Sequence, residues 1–337
     1  MSAVAVIGGG IAGCNAAYRL AEAGKQVVLI EKSSQLGGNI RKFGCKADDR
    51  CVKDNLCLVE GVFDKINSTK NIEILCDSEV DSLSGNAGSY TLEVRSNGEY
   101  MRLAEIGAII IATGYVKFSE KETGALQWEK DTRILWASEL EETLYRRKSR
   151  IDALEGVKSM VFIQCQGSRS VTEKADYCSR TCCGYSYRMA RAVRYLHPGI
   201  RIDMLYMDLQ EAGYMQELSF EVLERYEMHP FLCRPVSIKK KDDVMAISYE
   251  DREAGMMKEI TADIIILSEG MHPGEDNEKF AETFNLQINE KGFLSSIEDE
   301  AASGIYLAGT VKGPKDIAES INEAKIAADR ILSVSEE

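Results

Sequence analysis

The chain has 337 residues, 45% of them apolar and 28% charged, enough length for two domains with separate cores and the composition of a globular protein. Its formal net charge of −13 excludes a general nucleic-acid binder, which needs a basic face. The strongest apolar runs, such as Ile106 to Thr113, are of strand length and well short of the roughly 20 residues of a spanning helix. With no basic stretch leading into an apolar one at the start, the expected compartment is the cytoplasm.

Ten cysteines stand against three histidines, His197, His229 and His272. Without a secretion signal, that balance points to redox or all-thiolate metal chemistry rather than a disulfide framework or a mixed Cys/His zinc site.

Residues 3–7 read as a buried parallel strand, and Gly8-Gly9-Gly10-Ile11-Ala12-Gly13 follows at once. The helix from Cys14 to Ala23 and the strand from Val27 to Ile30 complete a dinucleotide-binding unit. Gly8 permits the turn, Gly10 lets a pyrophosphate approach the backbone, and Gly13 brings the helix close to the strand. The N–H groups at the helix start, around Ile11 and Ala12, face the phosphates. Glu31, 18 residues after Gly13, is placed to accept hydrogen bonds from a ribose. Cys14 reads as a small buried residue.

Three further stretches resemble flavoprotein motifs. Lys32 to Asn39 carries a second glycine pair with Gly38, Ile106 to Gly114 ends in Ala112-Thr113-Gly114, and Gly304 to Thr310 ends in Gly309-Thr310, where Asp is usual at the last position. The helix expected over Asp316 to Leu332 begins near Ile317 and aims its N-terminus at the flavin. Together these favour FAD over NAD at the first site. Between them, Cys45, Cys51 and Cys57 recur as C-x₅-C-x₅-C. This spacing fits neither a zinc knuckle nor a ferredoxin run. A redox thiol set, part of a second cluster, and free thiols in a polar loop all remain open there.

Tyr90 to Val94 reads as a small antiparallel insertion, and 115–155 as a polar connection with one helix around Ala137 to Tyr145. Strands over Met160 to Ile163, Ile202 to Tyr206 and Ile264 to Leu267, with a helix over Tyr185 to Leu196, repeat the β-α-β order. The expected fold is α/β with two Rossmann-like domains. A discontinuous first domain covers 1–118 and 271–337, and a second covers 119–270. Tyr185, Tyr187 and Tyr195 read as packing, Met256-Met257 as core filling, and the lysines of 238–242 as a hairpin turn.

In that second domain the phosphate loop is replaced by Cys165-Gln166-Gly167, with Cys178, Cys182 and Cys183 after it. One glycine is too few to cradle a pyrophosphate, and Gln166 adds a side chain to the turn. Cys178 and Cys182 are spaced i, i+4, as on one helix face, while Cys165 ends a strand. Four thiolates from two segments suit a [4Fe–4S] cluster, with zinc as the competitor.

Cys-Gln-Gly-Ser-Arg (165–169), Tyr-Cys-Ser-Arg-Thr-Cys-Cys (177–183) and Gly-Pro-Lys-Asp (313–316) resemble the A subunit of heterodisulfide reductase. The Cys45-Cys51-Cys57 loop looks closest to the short A subunits of sulfur-oxidising heterodisulfide-reductase-like complexes, which are related to quinone-interacting oxidoreductase subunits. The resemblance covers nearly the whole chain. It implies a thioredoxin-reductase-like fold, FAD, a [4Fe–4S] cluster on Cys165, Cys178, Cys182 and Cys183, and a place among iron–sulfur partner subunits, with a homodimer inside the larger complex. Lys315 falls in the last motif, as a candidate to tune the flavin. Arg188 stands where bifurcating relatives have lysine, and arginine does not readily change protonation. The alternatives are a freestanding NAD(P)H-dependent flavoprotein disulfide reductase and a non-enzymatic FAD-binding scaffold.

Overall fold

The computed structural model describes residues 2–43, 58–59, 61–118, 131–145, 151–209, 223, 225, 227–251, 254–296 and 300–334. The chain divides into two compact units. The first contains 1–41, 55–116 and 273–337; the second contains 42–54 and 117–272.

The first unit opens with β1 (Ala3–Ile7), α1 (Ile11–Glu22) and β2 (Val27–Ile30). Then come α2 (Val62–Ser68), β3 (Ile72–Leu75), β4 (Ser78–Asn86), β5 (Ser89–Ser96) and β6 (Glu99–Ile111). The second unit supplies β7 (Ile134–Trp136), α3 (Ala137–Tyr145), β8 (Ser159–Gln166), α4 (Cys182–Leu196) and β9 (Arg201–Tyr206). It continues with β10 (Met228–Leu232), β11 (Pro235–Lys241), β12 (Val244–Asp251), β13 (Met256–Ala262) and β14 (Ile264–Glu269). The chain returns to the first unit with α5 (Asn277–Phe284), β15 (Ile305–Leu307) and α6 (Ile317–Val334).

In the first unit the sheet runs β3-β2-β1-β6-β5-β4, with β15 also paired to β6. β6 is long because it serves two neighbourhoods. Glu99 to Ile106 pairs antiparallel with β5, and Ile109 to Ile111 pairs parallel with both β1 and β15. Burial follows that division: the last four residues of β6 are fully inside and its first half alternates towards solvent. Small residues let α1 and α6 approach over one face, with Ala16, Ala17, Ala324, Ala327 and Ala328 in one core with Val4, Val6 and Leu29.

In the second unit five strands run β10-β9-β8-β14-β7, all parallel. Alternate residues of β8 face opposite ways. Met160 and Phe162 pack under α3 and α4, while Val161 and Ile163 pack against Ile238, Met245 and Ile247 of the antiparallel β11-β12-β13 sheet.

Five local readings need correction. Ile134–Trp136 forms a strand inside the connection read as polar, because its three residues pair with β14. Helix α4 starts at Cys182, not Tyr185. Cys178 lies ahead of it in irregular backbone, where Arg180 takes φ +65°, so Cys178 and Cys182 do not share a helix face. Met256 and Met257 are each 56% exposed on the edge strand β13, not in the core, and Tyr195 is likewise exposed.

Candidate functional site

The turn between β1 and α1 is shaped by three glycines with different tasks. Gly8 takes φ +105°, and a Cβ there would lie 2.4 Å from the Ala112 carbonyl oxygen. A Cβ on Gly13 would lie 1.8 Å from the Gly8 carbonyl oxygen. Gly10, which precedes α1, has nothing within 4 Å of its missing Cβ. The crowded glycines bring helix and strand together, and the uncrowded one leaves the space a pyrophosphate needs at the helix N-terminus. Ile11 and Ala12, the first residues of α1, are buried, so backbone N–H groups rather than large side chains form the floor.

Glu31 ends β2 and is 8% exposed. Its Oε2 accepts the Gly9 N–H at 2.6 Å, and its Oε1 accepts the Ser33 N–H at 2.8 Å and hydroxyl at 2.5 Å. Around this turn the other expected segments gather. A Cβ on Gly38 would stand 3.4 Å from the Gly10 Cα, one on Gly114 would stand 3.8 Å from Thr310 Oγ1, and one on Gly309 would overlap Ala12 Cβ at 2.8 Å. Asn39 Nδ2 donates to the Tyr115 carbonyl at 2.8 Å. Ala112, Thr113 and the Gly309-Thr310 turn therefore close on the first glycine loop. Lys32 behaves differently: its ammonium pairs with Asp276 at 2.9 Å, with both side chains largely exposed.

Helix α6 begins with a reciprocal capping box. Asp316 Oδ1 accepts the Glu319 N–H at 2.7 Å, and Glu319 Oε2 accepts the Asp316 N–H at 2.9 Å. The N–H groups of Ile317 and Ala318 lie between these two capped positions, in the first turn that the positive end of the helix dipole serves. Lys315, just before the cap, has a side chain only 11% exposed. Burial pulls its ammonium below the usual lysine range, and Glu323 works against that.

In the second unit Cys165 lies at the end of β8 with φ +63°, and its carbonyl accepts the Ser168 N–H at 3.1 Å. The segment is fastened on several sides. Ser168 and Ser179 hydroxyls are 2.5 Å apart, Ser179 also accepts the Met271 N–H at 2.8 Å, and Arg169 is paired with Asp208. A Cβ on Gly167 would overlap the Phe118 ring at 2.1 Å. A phosphate-cradling loop keeps its N–H groups open to a ligand; here those of Ser168, Arg169 and Ser170 are taken by the carbonyls of Cys165, Tyr177 and Ala175.

Cys182 and Cys183 occupy the first turn of α4 and are buried, while Cys165 and Cys178 are partly exposed. Burial drives the Cys182 thiol well above its usual range, and Cys165, Cys183 and Cys178, in that order, add to the rise. Burial also pushes Cys165 up to about 11; Cys178 adds to this and Arg169 opposes it. Cys182 thus feels the other three thiols, and Cys165 feels Cys178. Cys178 Sγ accepts the Arg180 N–H at 3.2 Å, and Tyr185 donates its hydroxyl to the Glu269 carbonyl at 2.7 Å, next to Cys182. Among the described residues, no group of three or more His, Cys, Asp or Glu side chains is gathered to hold a metal ion. Arg188 is buried on α4 in a two-point pair with Glu141, at 2.5 and 3.3 Å. Cys45, Cys51 and Cys57 lie outside the described residues.

Two features escaped the sequence reading. Glu141 has no motif and is recognisable only as the partner of Arg188. Glu323, on α6, meets Gly309, Lys312 and Lys315, which no spacing rule links.

Residues 6–53 match the model of an NAD(P)-binding Rossmann-like domain. Among solved structures, the chain is similar to thioredoxin reductase from T. acidophilum, with TM-score 0.67, 17% identity, and coverage of 100% of this chain and 99% of that one. Lactococcus lactis thioredoxin reductase gives TM-score 0.62 and 18% identity with full coverage of both chains. At such identities the likeness establishes the two-domain α/β fold of thioredoxin reductase alone. By sequence, the chain is 24% identical over 96% of its length to the A subunit of the ferredoxin:CoB-CoM heterodisulfide reductase of Methanosarcina acetivorans, spanning 56% of that protein. It is 23% identical over 97% of its length to the iron-sulfur A subunit of the CoB--CoM heterodisulfide reductase of Methanocaldococcus jannaschii, spanning 63% of it. The chain thus spans less than two thirds of these relatives. No helix among the described residues is long and apolar enough to cross a membrane. Along nearly all of its own length the chain is similar to heterodisulfide reductase A subunits.

Proposed function

We propose that the chain is an oxidoreductase subunit that binds FAD and a [4Fe–4S] cluster and passes electrons within a heterodisulfide-reductase-like complex of sulfur or disulfide metabolism. Its partners are the iron–sulfur subunits of that complex, within which it forms a homodimer, and its compartment is the cytoplasm. The observation that carries the reading is the contrast between the two β-α turns. The first leaves open space at Gly10 beside a helix N-terminus, as a pyrophosphate requires. The second closes on itself and carries Cys182 and Cys183 in the first turn of α4, with Cys165 at the preceding strand end and Cys178 in the segment between.

The residues fit FAD at the first turn: Gly8 to Gly13 receive the pyrophosphate, Glu31 the ribose, and the segments at Gly38-Asn39, Ala112 to Gly114, Gly309-Thr310 and Ile317 the flavin half. When bound, FAD supplies exchange between electron pairs and single electrons. The chain binds and orients it, with Lys315 as the nearby cation that favours a negatively charged reduced ring.

Cys165, Cys178, Cys182 and Cys183 would hold the cluster. A single tetrahedral zinc ion, with Zn–S bonds of about 2.3 Å, draws its sulfurs into one tight group. An all-thiolate set with no histidine also suits a [4Fe–4S] cluster, and metal content separates the two. The dipole of α4 favours the negative charge of such a cage.

Anaerobic purification with absorption, EPR and metal analysis tests this. The expected result is one flavin and about four irons per chain, with slow flavin reduction by NADPH alone. Zinc in place of iron, or rapid bleaching of the flavin by NADPH or NADH without a partner protein, would support a freestanding disulfide reductase instead.

A further inference from the structure

Glu323 lies near the end of the second turn of α6, on the face that looks back to the loop leaving β15. Its two oxygens are both engaged by that loop. Oε2 accepts the Gly309 N–H at 3.1 Å, while Oε1 stands 3.4 Å from the Lys315 ammonium and 3.9 Å from that of Lys312. The three are not equally committed. Lys312 keeps 38% of its side chain exposed, whereas Lys315 keeps 11% and also donates to the Gly313 carbonyl at 3.4 Å. Gly309 is fixed in turn, since its φ of +78° and the contact its Cβ would make with Ala12 pin it to the first glycine loop. One carboxylate therefore ties the buried lysine to the backbone that meets the dinucleotide turn.

A buried ammonium beside a carboxylate behaves differently from a lone cation. Alone, Lys315 would lend its full positive charge to a bound anion. Opposed by Glu323 in a partly dry site, it is held in place and partly neutralised. Asp316 and Glu319 are also near, but their carboxylates are committed to the capping box of α6.

We propose that Glu323 is a positioning residue of the flavin site: it holds Lys315 at the Gly309-Thr310 turn and offsets its charge, so that the bound flavin has a lower midpoint potential than Lys315 alone would set. The inference rests on the FAD reading above and adds to it the residue that limits the lysine's effect.

The test uses the full chain loaded with FAD. A fluorescence titration of the wild-type apoprotein with FAD comes first; failure to bind overturns the underlying reading rather than this inference. Midpoint potentials are then measured by equilibration with redox dyes for the wild type, Glu323→Gln, Glu323→Asp and Lys315→Met. Glutamine keeps an oxygen for the Gly309 N–H but removes the charge, so the midpoint is expected to rise. Lys315→Met is expected to lower it, and Glu323→Asp to leave it near the wild type. An unchanged or lowered midpoint in Glu323→Gln, with FAD bound, overturns the proposal, because a purely structural contact would alter affinity or melting and leave the potential alone. If Glu323→Gln fails to fold, Lys315→Met decides, and an unmoved midpoint there is equally fatal.

Discussion

The Glu31 carboxylate accepts the Gly9 N–H at 2.6 Å, so the acid that ends β2 is joined directly to the turn that ends β1. It also takes the N–H and hydroxyl of Ser33. Glu31→Ala removes a buried acceptor and leaves these donors without it. Hydrogen bonds to charged groups contribute about 1.5–3 kcal/mol, so a loss of about 2–3 kcal/mol in urea melts is expected. FAD affinity should fall by about tenfold or more, read by fluorescence titration.

Two alanine substitutions in the glycine loop should separate folding from binding. In Gly13→Ala the new methyl meets the Gly8 carbonyl at 1.8 Å, and only backbone movement relieves it. Overpacking of this kind costs about 1–3 kcal/mol, so the melting temperature should drop. Gly10→Ala meets nothing within 4 Å and should melt like the wild type, yet its methyl fills the space reserved for the pyrophosphate. Loss of FAD binding with retained stability is the expected signature, and full FAD affinity in Gly10→Ala would refute the placement.

Arg188 and Glu141 pair inside the second unit, with each side chain 4% exposed. Removing one partner breaks a buried ion pair, at a cost of about 3–5 kcal/mol. Arg188→Met and Glu141→Leu should each destabilise the chain strongly in denaturant melts. The double variant should recover much of the loss, because an apolar pair replaces both charges. Equal and additive losses would show that the two side chains do not depend on each other.

Asp263 precedes β14 and accepts the N–H groups of Lys158 and Ser159 at 2.7 and 2.8 Å, with the Ser159 hydroxyl at 3.1 Å. Burial opposes its ionisation, but these donors outweigh burial and hold the carboxyl below its usual range. A lowered folded value means that the stabilisation is present above the unfolded value of about 3.9 and is lost as pH falls through the folded one. Partial exposure screens the effect, so Asp263→Asn should cost about 1 kcal/mol at pH 7. That gap should narrow as the pH is taken below about 4, measured by urea melts at both ends.

The dinucleotide unit was legible because its signal is local. Apolar residues 3–7, three spaced glycines and Glu31 specify strand, turn, helix and strand within one short span. The second Rossmann-like sheet was legible in its core strands β8 and β14, whose continuous apolar runs mark burial on both faces, and in β9, which is apolar apart from Arg201 and Asp203. The short strand β7 was not, since three residues carry no period and gain strand form only by pairing with β14. Cys178 was misplaced for a related reason: i, i+4 spacing implies a shared face only inside a helix, and the backbone at Arg180 leaves the helical region before α4 begins.

What the sequence by itself determined is the fold class and the chemical character of the two β-α turns, one rich in glycine and one in cysteine. These depend on residue type and on neighbours a few positions away. Only the tertiary structure decided which side chains face one another: Glu141 with Arg188, and Glu323 with Lys315. Such pairings join segments far apart in the chain, and the strength of a charge or a thiol's hold on its proton depends on burial and distance, which exist only once the sheets have assembled.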